Sequence, residues 1–221
     1  MKKALSVSAL VVAVIFVFSC NKNSSSSGYP SFGPTSLWPL QQGNSWIYKD
    51  SLFTDSTGFQ KTLLDTVTTT SQVYQDPSGL FFVGINDPYG WFGTTGYASV
   101  DPYNTTIYAV DTLGDQPYIF FGTVAQDGTQ IGTGTDFTNA TCPLNSTLYG
   151  FATPVTINNY SCIKNIQYNV ASCNNITQEV IITYVSPGVG VVRIEDYMAN
   201  PNASNALYLD YSQTLQSSVI K

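Results

Sequence analysis

Short apolar runs separated by turn-forming residues repeat along the chain from about residue 43 to its end. The runs are rich in aromatic and β-branched residues, and none has the 3.6-residue period of an amphipathic helix. Turn sequences such as Asp87-Pro88-Tyr89-Gly90 and Pro187-Gly188 lie between them. The pattern predicts strands over residues 45–54, 59–73, 79–86, 91–100, 105–111, 118–124, 147–151, 155–170, 176–185, 189–197 and 207–215.

Strands at this spacing, with turns between them and no helical segment, are typical of an all-β fold. We expect a mainly antiparallel, curved sheet that forms a half-barrel, a barrel or a sandwich within one domain, residues 37–221. The composition agrees, because 15 Tyr and 12 Phe in a chain that is 43% hydrophobic favour strands and suffice for one core. Residues 126–145 are rich in Gly, Thr and Asn and have no period, which predicts a long loop.

The N-terminus has the features of a secretory signal peptide. Lys2 and Lys3 precede an apolar stretch, residues 4–18, that is too short to span a bilayer permanently. The stretch ends at Cys20 in a sequence that resembles a bacterial lipobox, in which the Cys is lipidated and becomes the first residue of the mature protein. We therefore expect a signal peptide over residues 1–19 and a lipidated, Ser/Gly/Pro-rich tether over residues 20–36.

Charge and missing residue types exclude several classes of function. The chain has no His, which removes His-based triads, imidazole bases and His-ligated zinc. Eight basic residues against 14 acidic ones, with a net charge of −6, argue against a nucleic-acid partner. The only Glu residues are Glu179 and Glu195, most Asp residues lie in turn sequences, and no EF-hand or Cys-x-x-Cys spacing occurs. We predict no catalytic residue, no metal site and no cofactor, and hence no enzyme.

Two motifs resemble a known group of proteins. Residues 38–48 follow the pattern P-L-x-x-G-x-x-W-x-Y, and residues 184–195 contain P-G-V-G-x-V. Together they resemble a group of bacterial, often Bacteroidota, lipoproteins that is similar to DUF3108-like and lipoprotein-carrier-type β domains. The resemblance implies a curved antiparallel sheet and brings no catalytic residue with it. Asn21 stands where an inner-membrane retention Asp would lie, which favours the outer membrane. Surface-exported lipoproteins of Bacteroidota usually carry acidic residues just after the Cys, so the basic Lys22 favours the periplasm-facing side.

The motifs also have a structural interpretation. Trp46 and Tyr48 are expected on one face of the first strand. Pro187 and Gly188 suit the central positions of a type II turn, and Gly190 would allow a large group to approach the following strand.

One aromatic cluster is a candidate ligand contact. Tyr89, Trp91, Phe92 and Tyr97 lie among glycines, a composition suited to stacking on sugars or lining an apolar pocket. The alternative, which we favour, is that they fill the core of a domain with few Leu residues.

These observations predict a lipid-anchored protein of the cell envelope with a non-catalytic accessory, structural or binding role. The alternative is a half-barrel carrier for a lipid or other hydrophobic ligand, and a glycan-binding or glycan-processing protein is less favoured. An open apolar cavity of several hundred Å³ would favour the carrier, whereas a filled core would favour the accessory role. The expected partners are the membrane, through the lipid anchor only, and an envelope protein or a ligand.

The remaining cysteines and the single Arg predict two cross-links. If residues 161–172 form one strand, Cys162 and Cys173 lie too far apart to bond, so Cys142 pairs with one of them, with Cys162 favoured. Arg193 is expected to form an ion pair with Glu195 or Glu179 that clamps one hairpin.

Four short sequences resemble the acceptor at which Bacteroidota O-glycosylate exported proteins. Each has an Asp, then Ser or Thr, then a small or aliphatic residue. The candidate acceptors are Ser51, Ser56, Thr66 and Thr112. The same pattern also arises when strands follow turn-forming Asp residues, and both interpretations stay open.

Overall fold

The structure is a computed structural model that describes residues 35–54, 58–94, 96–113, 115–136, 139, 141–201, 203 and 206–221. The predicted signal peptide, Cys20, nearly all of the tether and Ser56 therefore lie outside the described residues. The described chain forms twelve strands and no helix. The strands are β1 (Ser45–Thr54), β2 (Gly58–Gln75), β3 (Phe81–Asn86), β4 (Tyr97–Val100), β5 (Thr106–Val110), β6 (Tyr118–Gly122), β7 (Thr129–Asp136), β8 (Leu144–Ile157), β9 (Tyr160–Ala171), β10 (Ile176–Ser186), β11 (Gly190–Ala199) and β12 (Leu207–Val219).

All twelve strands belong to one antiparallel sheet. Consecutive strands pair along the chain from β1 to β6 and from β7 to β12, and β12 pairs with β1. Among the described residues no ladder joins β6 to β7, although Gly122 of β6 lies against the side chain of Ile131 in β7. The sheet is thus a nearly closed barrel with one seam. The all-β prediction is confirmed. Of the half-barrel, barrel and sandwich that it left open, the structure has the barrel.

The predicted long loop over residues 126–145 is wrong. The structure has β7 there, paired with β8 from Thr129↔Gly150 to Asp136↔Leu144. Gly132 and Gly134 lower the strand propensity of this segment, but the ladder to β8 supplies the backbone hydrogen bonds that propensity does not predict.

Other strand predictions also differ from the structure. The strand predicted over residues 147–151 and the start of the one predicted over residues 155–170 belong to a single strand, β8. Residues 155–170 form two strands, because Asn158 and Asn159 both adopt positive φ, 47° and 70°, as a two-residue hairpin turn requires. Residues 91–100 contain only the short strand β4, and the part before it is a turn in which Asp87 bridges to Gly93.

One end of the barrel is closed by the two motifs, which contact each other. Trp46 and Tyr48 share one face of β1, as expected, and the structure turns this face inward. They donate hydrogen bonds to the carbonyls of Val189 and Val191, each 2.7 Å long. Trp38 lies on Gly190, where an added Cβ would be 2.1 Å from the indole ring. We call this closed region the apolar end. Its buried residues include Leu37, Trp38, Leu40, Trp46, Tyr48, Val185, Val191, Val192 and Leu215.

The turn that presents this contact matches its prediction. Gly188 has φ of 81°, and the N–H of Val189 donates to the carbonyl of Ser186 at 3.0 Å. Gly188 also donates its own N–H to Ser36, which ties the turn to the segment before β1. The predicted roles of Pro187-Gly188 and of Gly190 are thus confirmed.

The disulfide joins Cys142 to Cys173, so the favoured pairing of Cys142 with Cys162 is wrong. Cys142 precedes β8 and Cys173 follows β9. Because these strands form a hairpin closed by Asn158-Asn159, the two cysteines meet at its open end with Cα atoms 5.2 Å apart. Cys162 is free and buried, and burial raises the pKa of its thiol to about 11. The prediction that Cys162 and Cys173 do not pair is confirmed.

The predicted clamp on the β10–β11 hairpin is present. Arg193 contacts Glu195 with 2.5 Å between Nη2 and Oε1. The hydroxyl of Tyr184, across the ladder, donates to Oε2 of the same carboxylate at 3.2 Å. Glu195 and not Glu179 is the partner, because residues 193 and 195 lie on the outer face of β11.

Candidate binding cavity

A cavity of about 810 Å³ lies inside the barrel at the end opposite the apolar end, beside the seam. Its wall comes from β6, β7, β8, β9 and β10, together with Trp91 and Asp111 from the connections near β4 and β5. The lining residues are Trp91, Asp111, Pro117, Tyr118, Ile119, Phe120, Gly132–Asp136, Leu144, Ser146, Leu148, Gln167, Asn169, Glu179, Ile181 and Thr183. The volume is in the range of sites that hold drug-sized ligands.

A strip of polar side chains forms one side of the cavity. Nε2 of Gln167 donates to Oδ1 of Asn169 at 3.0 Å, and Nδ2 of Asn169 donates to Oε2 of Glu179. The three groups, which we call the polar strip, are thus held in fixed orientations. They converge because Asn169 faces Glu179 in the β9–β10 ladder, with Gln167 two residues away on the same face.

Asn165 extends the inward polar face of β9 towards the apolar end. It is 1% exposed, and within the described residues neither Nδ2 nor Oδ1 has a hydrogen-bond partner. Buried amides are normally paired, so β9 carries a hydrogen-bonding side chain that the described residues leave unpaired.

Aromatic side chains line the part of the cavity that β6 contributes. Trp91 lies beside Tyr118, and the hydroxyl of Tyr118 donates to Oδ1 of Asp111 at 3.0 Å. Phe120 packs on Phe92 with ring centroids 5.1 Å apart, which fixes the base of this wall. The cavity therefore presents rings as well as hydrogen-bonding groups.

The cavity is acidic in charge. Glu179, Asp111 and Asp136 line it, and none of the basic side chains in the described part of the chain does. Asp196 lies behind Glu179 on β11, where burial, with the nearby Glu179 and Asp210, raises its pKa to about 7. A negatively charged ligand would meet carboxylates without any compensating cation.

A second group of interior carboxylates lies outside the cavity, on the β1–β3 side. Asp50 and Asp87 are 0% exposed, and Asp65 is 2% exposed. Burial, with Asp65 nearby, raises the pKa of Asp50 to about 6. Burial and the adjacent Asp65 also raise the pKa of Asp87 well above its usual range, although Oδ2 of Asp87 accepts the N–H of Phe92 at 2.9 Å. Burial in this group therefore favours the protonated state of Asp50 and Asp87.

The structure separates the four predicted ligand contacts. Trp91 lines the cavity. Phe92 belongs to the core, between Trp38 and Phe120, and Tyr97 is buried in a second small cluster with its hydroxyl on Gln72. Tyr89 is 65% exposed. The core interpretation therefore holds for Phe92 and Tyr97, and the cavity contains only Trp91 of the four.

The candidate glycosylation acceptors occupy different environments. Thr66 and Thr112 are exposed, and Ser51 is half-buried on the outer face of β1. Asp50 and Asp65, which precede two of them, point into the barrel. Strand alternation thus explains these two matches without any acceptor role, and modification of the candidates stays a prediction.

Sequence reasoning missed the polar strip and the interior carboxylates. A pattern that could have revealed the strip is the alternation of Asn165, Gln167 and Asn169 with Ile166, Tyr168 and Val170. Such alternation shows that β9 has a polar face, but it does not show that this face points into the barrel.

Two kinds of structure are absent from the described residues. Within them, no group of three or more His, Cys, Asp or Glu side chains is arranged to hold a metal ion. The same part of the chain contains no helix long and apolar enough to cross a membrane.

Fold and cavity together define a twelve-stranded antiparallel barrel with an internal polar and aromatic cavity. No protein-family model matches the chain, and no curated protein matches it. A solved protein of Bacteroides fragilis, described as exported and as having a YmcC-like fold, is 15% identical with a TM-score of 0.47, covering 82% of this chain and 98% of its own. A Parabacteroides distasonis protein described as a lipoprotein is 15% identical with a TM-score of 0.46, covering 84% and 99%.

The likeness to DUF3108-like domains stays a prediction, as do the outer membrane and the periplasm-facing orientation.

Proposed function

We propose that this protein is a lipid-anchored, periplasm-facing binding protein of the outer membrane, and that its barrel cavity holds a small ligand. The observation that carries the proposal is the fixed polar strip on the wall of a cavity large enough for such a ligand. A barrel that served only as a structural module would gain stability by filling this space with side chains.

The composition of the wall counts against the hydrophobic carrier. An acyl chain in the cavity would bury Gln167, Asn169 and Glu179 against hydrocarbon, and the unpaired polar atoms would oppose binding. The apolar end, which has the composition that a lipid tail prefers, is filled by Trp38 and Trp46. The binding role therefore fits a ligand with polar groups of its own.

No reaction is part of this proposal. The lining carboxylates Glu179 and Asp111 each accept a hydrogen bond from a neighbouring neutral side chain, which suits orientation of a ligand more than attack on it. The N-terminal lipid would hold the domain at the membrane, since acyl chains supply the attachment and the acidic domain adds none.

The test is native mass spectrometry of the lipidated protein purified from its own membranes, in comparison with Gly134→Phe. Gly134 lines the cavity opposite Ser146, and an added Cβ there would meet no atom within 4 Å, so the side chain of Phe would extend into the cavity. We expect a bound small molecule on the unsubstituted protein and none on Gly134→Phe. Thr147→Phe, which adds the same ring on β8 outside the cavity lining, is the matched control and should retain it. Absence of any bound species, together with no binding of added compounds, would contradict the function.

A further inference from the structure

We infer that the ligand class is a neutral oligosaccharide, which the polar strip would bind through hydroxyl groups while Trp91 and Tyr118 stack on the sugar rings. This inference rests on the proposed binding function and specifies its ligand. It depends on three features of the described cavity: the hydrogen-bonding capacity of the strip, the aromatic wall, and the sign of the charge.

The strip offers donors and acceptors side by side. Each side-chain amide nitrogen carries two N–H groups, and Gln167 and Asn169 each use one of theirs within the strip. The second N–H of each amide can donate to a ligand, and carbonyl and carboxylate oxygens beside them can accept. A hydroxyl group both donates and accepts, so neighbouring hydroxyls of a sugar match such a strip.

The strip is also rigid before any ligand arrives. The hydrogen bonds from Gln167 to Asn169 and from Asn169 to Glu179 limit the rotation of all three side chains. Less conformational entropy is then lost on binding, which matters for a ligand whose own hydroxyls must first leave water.

The aromatic wall supplies the second element of sugar recognition. Trp91 and Tyr118 lie next to each other on the lining, and Phe120 continues the wall behind them. Aromatic rings give a flat apolar surface for the C–H face of a sugar ring at low entropic cost, since each has few rotatable bonds. The cavity volume of about 810 Å³ leaves room for more than one ring of a ligand.

The charge of the cavity favours a neutral oligosaccharide over an anionic sugar, and its donors favour it over a polyamine. Glu179, Asp111 and Asp136 line the cavity without a Lys or Arg among the lining residues, which disfavours uronic acids, phosphates and sulfates. A polyamine would be attracted by the carboxylates and by the rings. It has no acceptor for the N–H groups of Gln167 and Asn169, however, so those donors would be buried unpaired.

The experiment uses the lipidated full-length mature protein in detergent micelles. Neutral hexose and N-acetylhexosamine oligomers are titrated by calorimetry beside galacturonate oligomers and spermine. We expect saturable binding of a neutral oligomer only, weakened about tenfold or more by Trp91→Ala and by Gln167→Ala/Asn169→Ala. Tyr89→Ala and Gln178→Ala remove an aromatic ring and an amide outside the cavity, and they should leave the affinity unchanged.

The outcomes separate this inference from the function on which it rests. A co-purified species that contains neutral hexose units, or a neutral oligomer that binds and is lost in the strip variants, supports the inference. Strip-dependent binding of galacturonate or spermine in place of neutral oligomers, or a co-purified lipid, overturns the ligand class and leaves a binding protein. No bound species and no binding of any probe, with Gly134→Phe behaving like the unsubstituted protein, overturns both.

Discussion

The two ends of the barrel interior are built by different means. At the apolar end, Trp38 and Trp46 pack with ring centroids 5.7 Å apart and side chains fill the space. At the opposite end, β9 and β10 turn amides and a carboxylate inward, and a cavity lined by β6 to β10 remains. The inward positions change from apolar to acidic along several strands: Trp46, Tyr48 and Asp50 on β1; Val192, Ile194 and Asp196 on β11; Val185, Thr183, Ile181 and Glu179 on β10.

The difference indicates that stability and binding are assigned to opposite ends. Close packing supplies most of the free energy of folding, so the apolar end should be sensitive to small changes in volume. Polar side chains at the other end add less stability, and a cavity there can be altered without loss of the fold. A disulfide at the open end of the β8–β9 hairpin, Cys142–Cys173, constrains this less densely packed end covalently.

The largest difference in stability should appear when a tryptophan at each end is replaced by alanine. Trp46→Ala removes a fully buried ring and its hydrogen bond to Val189, and should lower the free energy of unfolding by about 3–5 kcal/mol. Trp91→Ala, at the half-buried cavity wall, should cost no more than about 1–2 kcal/mol. Urea unfolding of both variants measures the difference. Equal losses would show that the two ends do not differ in packing.

Gly190 provides a finer test of packing at the apolar end. Gly190→Ala places a methyl group 2.1 Å from Trp38 at φ of 99°, and should cost about 2–4 kcal/mol. Gly128→Ala is the control, because Gly128 also has positive φ, 76°, but its Cβ would meet nothing within 4 Å. That change should cost about 1 kcal/mol. If both variants lose the same amount, backbone strain and not the contact with Trp38 accounts for the effect.

The interior carboxylates should make stability fall as pH rises. The raised pKa values of Asp50, about 6, and Asp196, about 7, mean that the folded state keeps protons that the unfolded chain has already lost. Their contribution to the free energy of unfolding should therefore be complete below about pH 4 and decrease as the pH rises to about 8.

Asp87→Asn should reduce this dependence. An Asn carbonyl can still accept the N–H of Phe92, and the variant should exceed the unsubstituted protein by about 1–3 kcal/mol near pH 8. Thermal unfolding across this pH range provides the measurement, and Asp115→Asn, at an exposed position, is the control. A variant that keeps the full slope would mean that Asp87 does not bind the proton.

The smallest effect is expected on the outer face. Arg193→Ala breaks the ion pair with Glu195, which is partly exposed, and should cost under about 1 kcal/mol. Arg193→Met keeps the apolar stem without the charge and separates packing from electrostatics. The melting temperature in low and in high salt is the readout, since screening should reduce the contribution of the pair. A loss above that of the interior variants would place a main stabilising interaction outside the barrel.

Much of the fold could be predicted, and the failures have identifiable causes. Aromatic and β-branched runs marked most strands, and the turn chemistry of Pro187-Gly188 was read correctly. The sequence does not predict β7, because Gly132 and Gly134 lower its strand propensity and its hydrogen bonds come from the ladder to β8. The Asn158-Asn159 turn was missed because two asparagines within an apolar run are a weaker signal than Asn-Gly, and this error led directly to the wrong disulfide partner.

The fold class, the common face of Trp46 and Tyr48, the conformational role of Gly188 and Gly190, and the absence of imidazole chemistry all follow from the amino-acid sequence alone. These properties depend on residue type and near neighbours, which the chain carries locally. Tertiary packing, in contrast, brings the opening and closing motifs together, places Cys142 against Cys173 and turns the polar face of β9 inward. Strand alternation defines two faces but does not specify which one the sheet encloses, because that choice depends on how all twelve strands curve together.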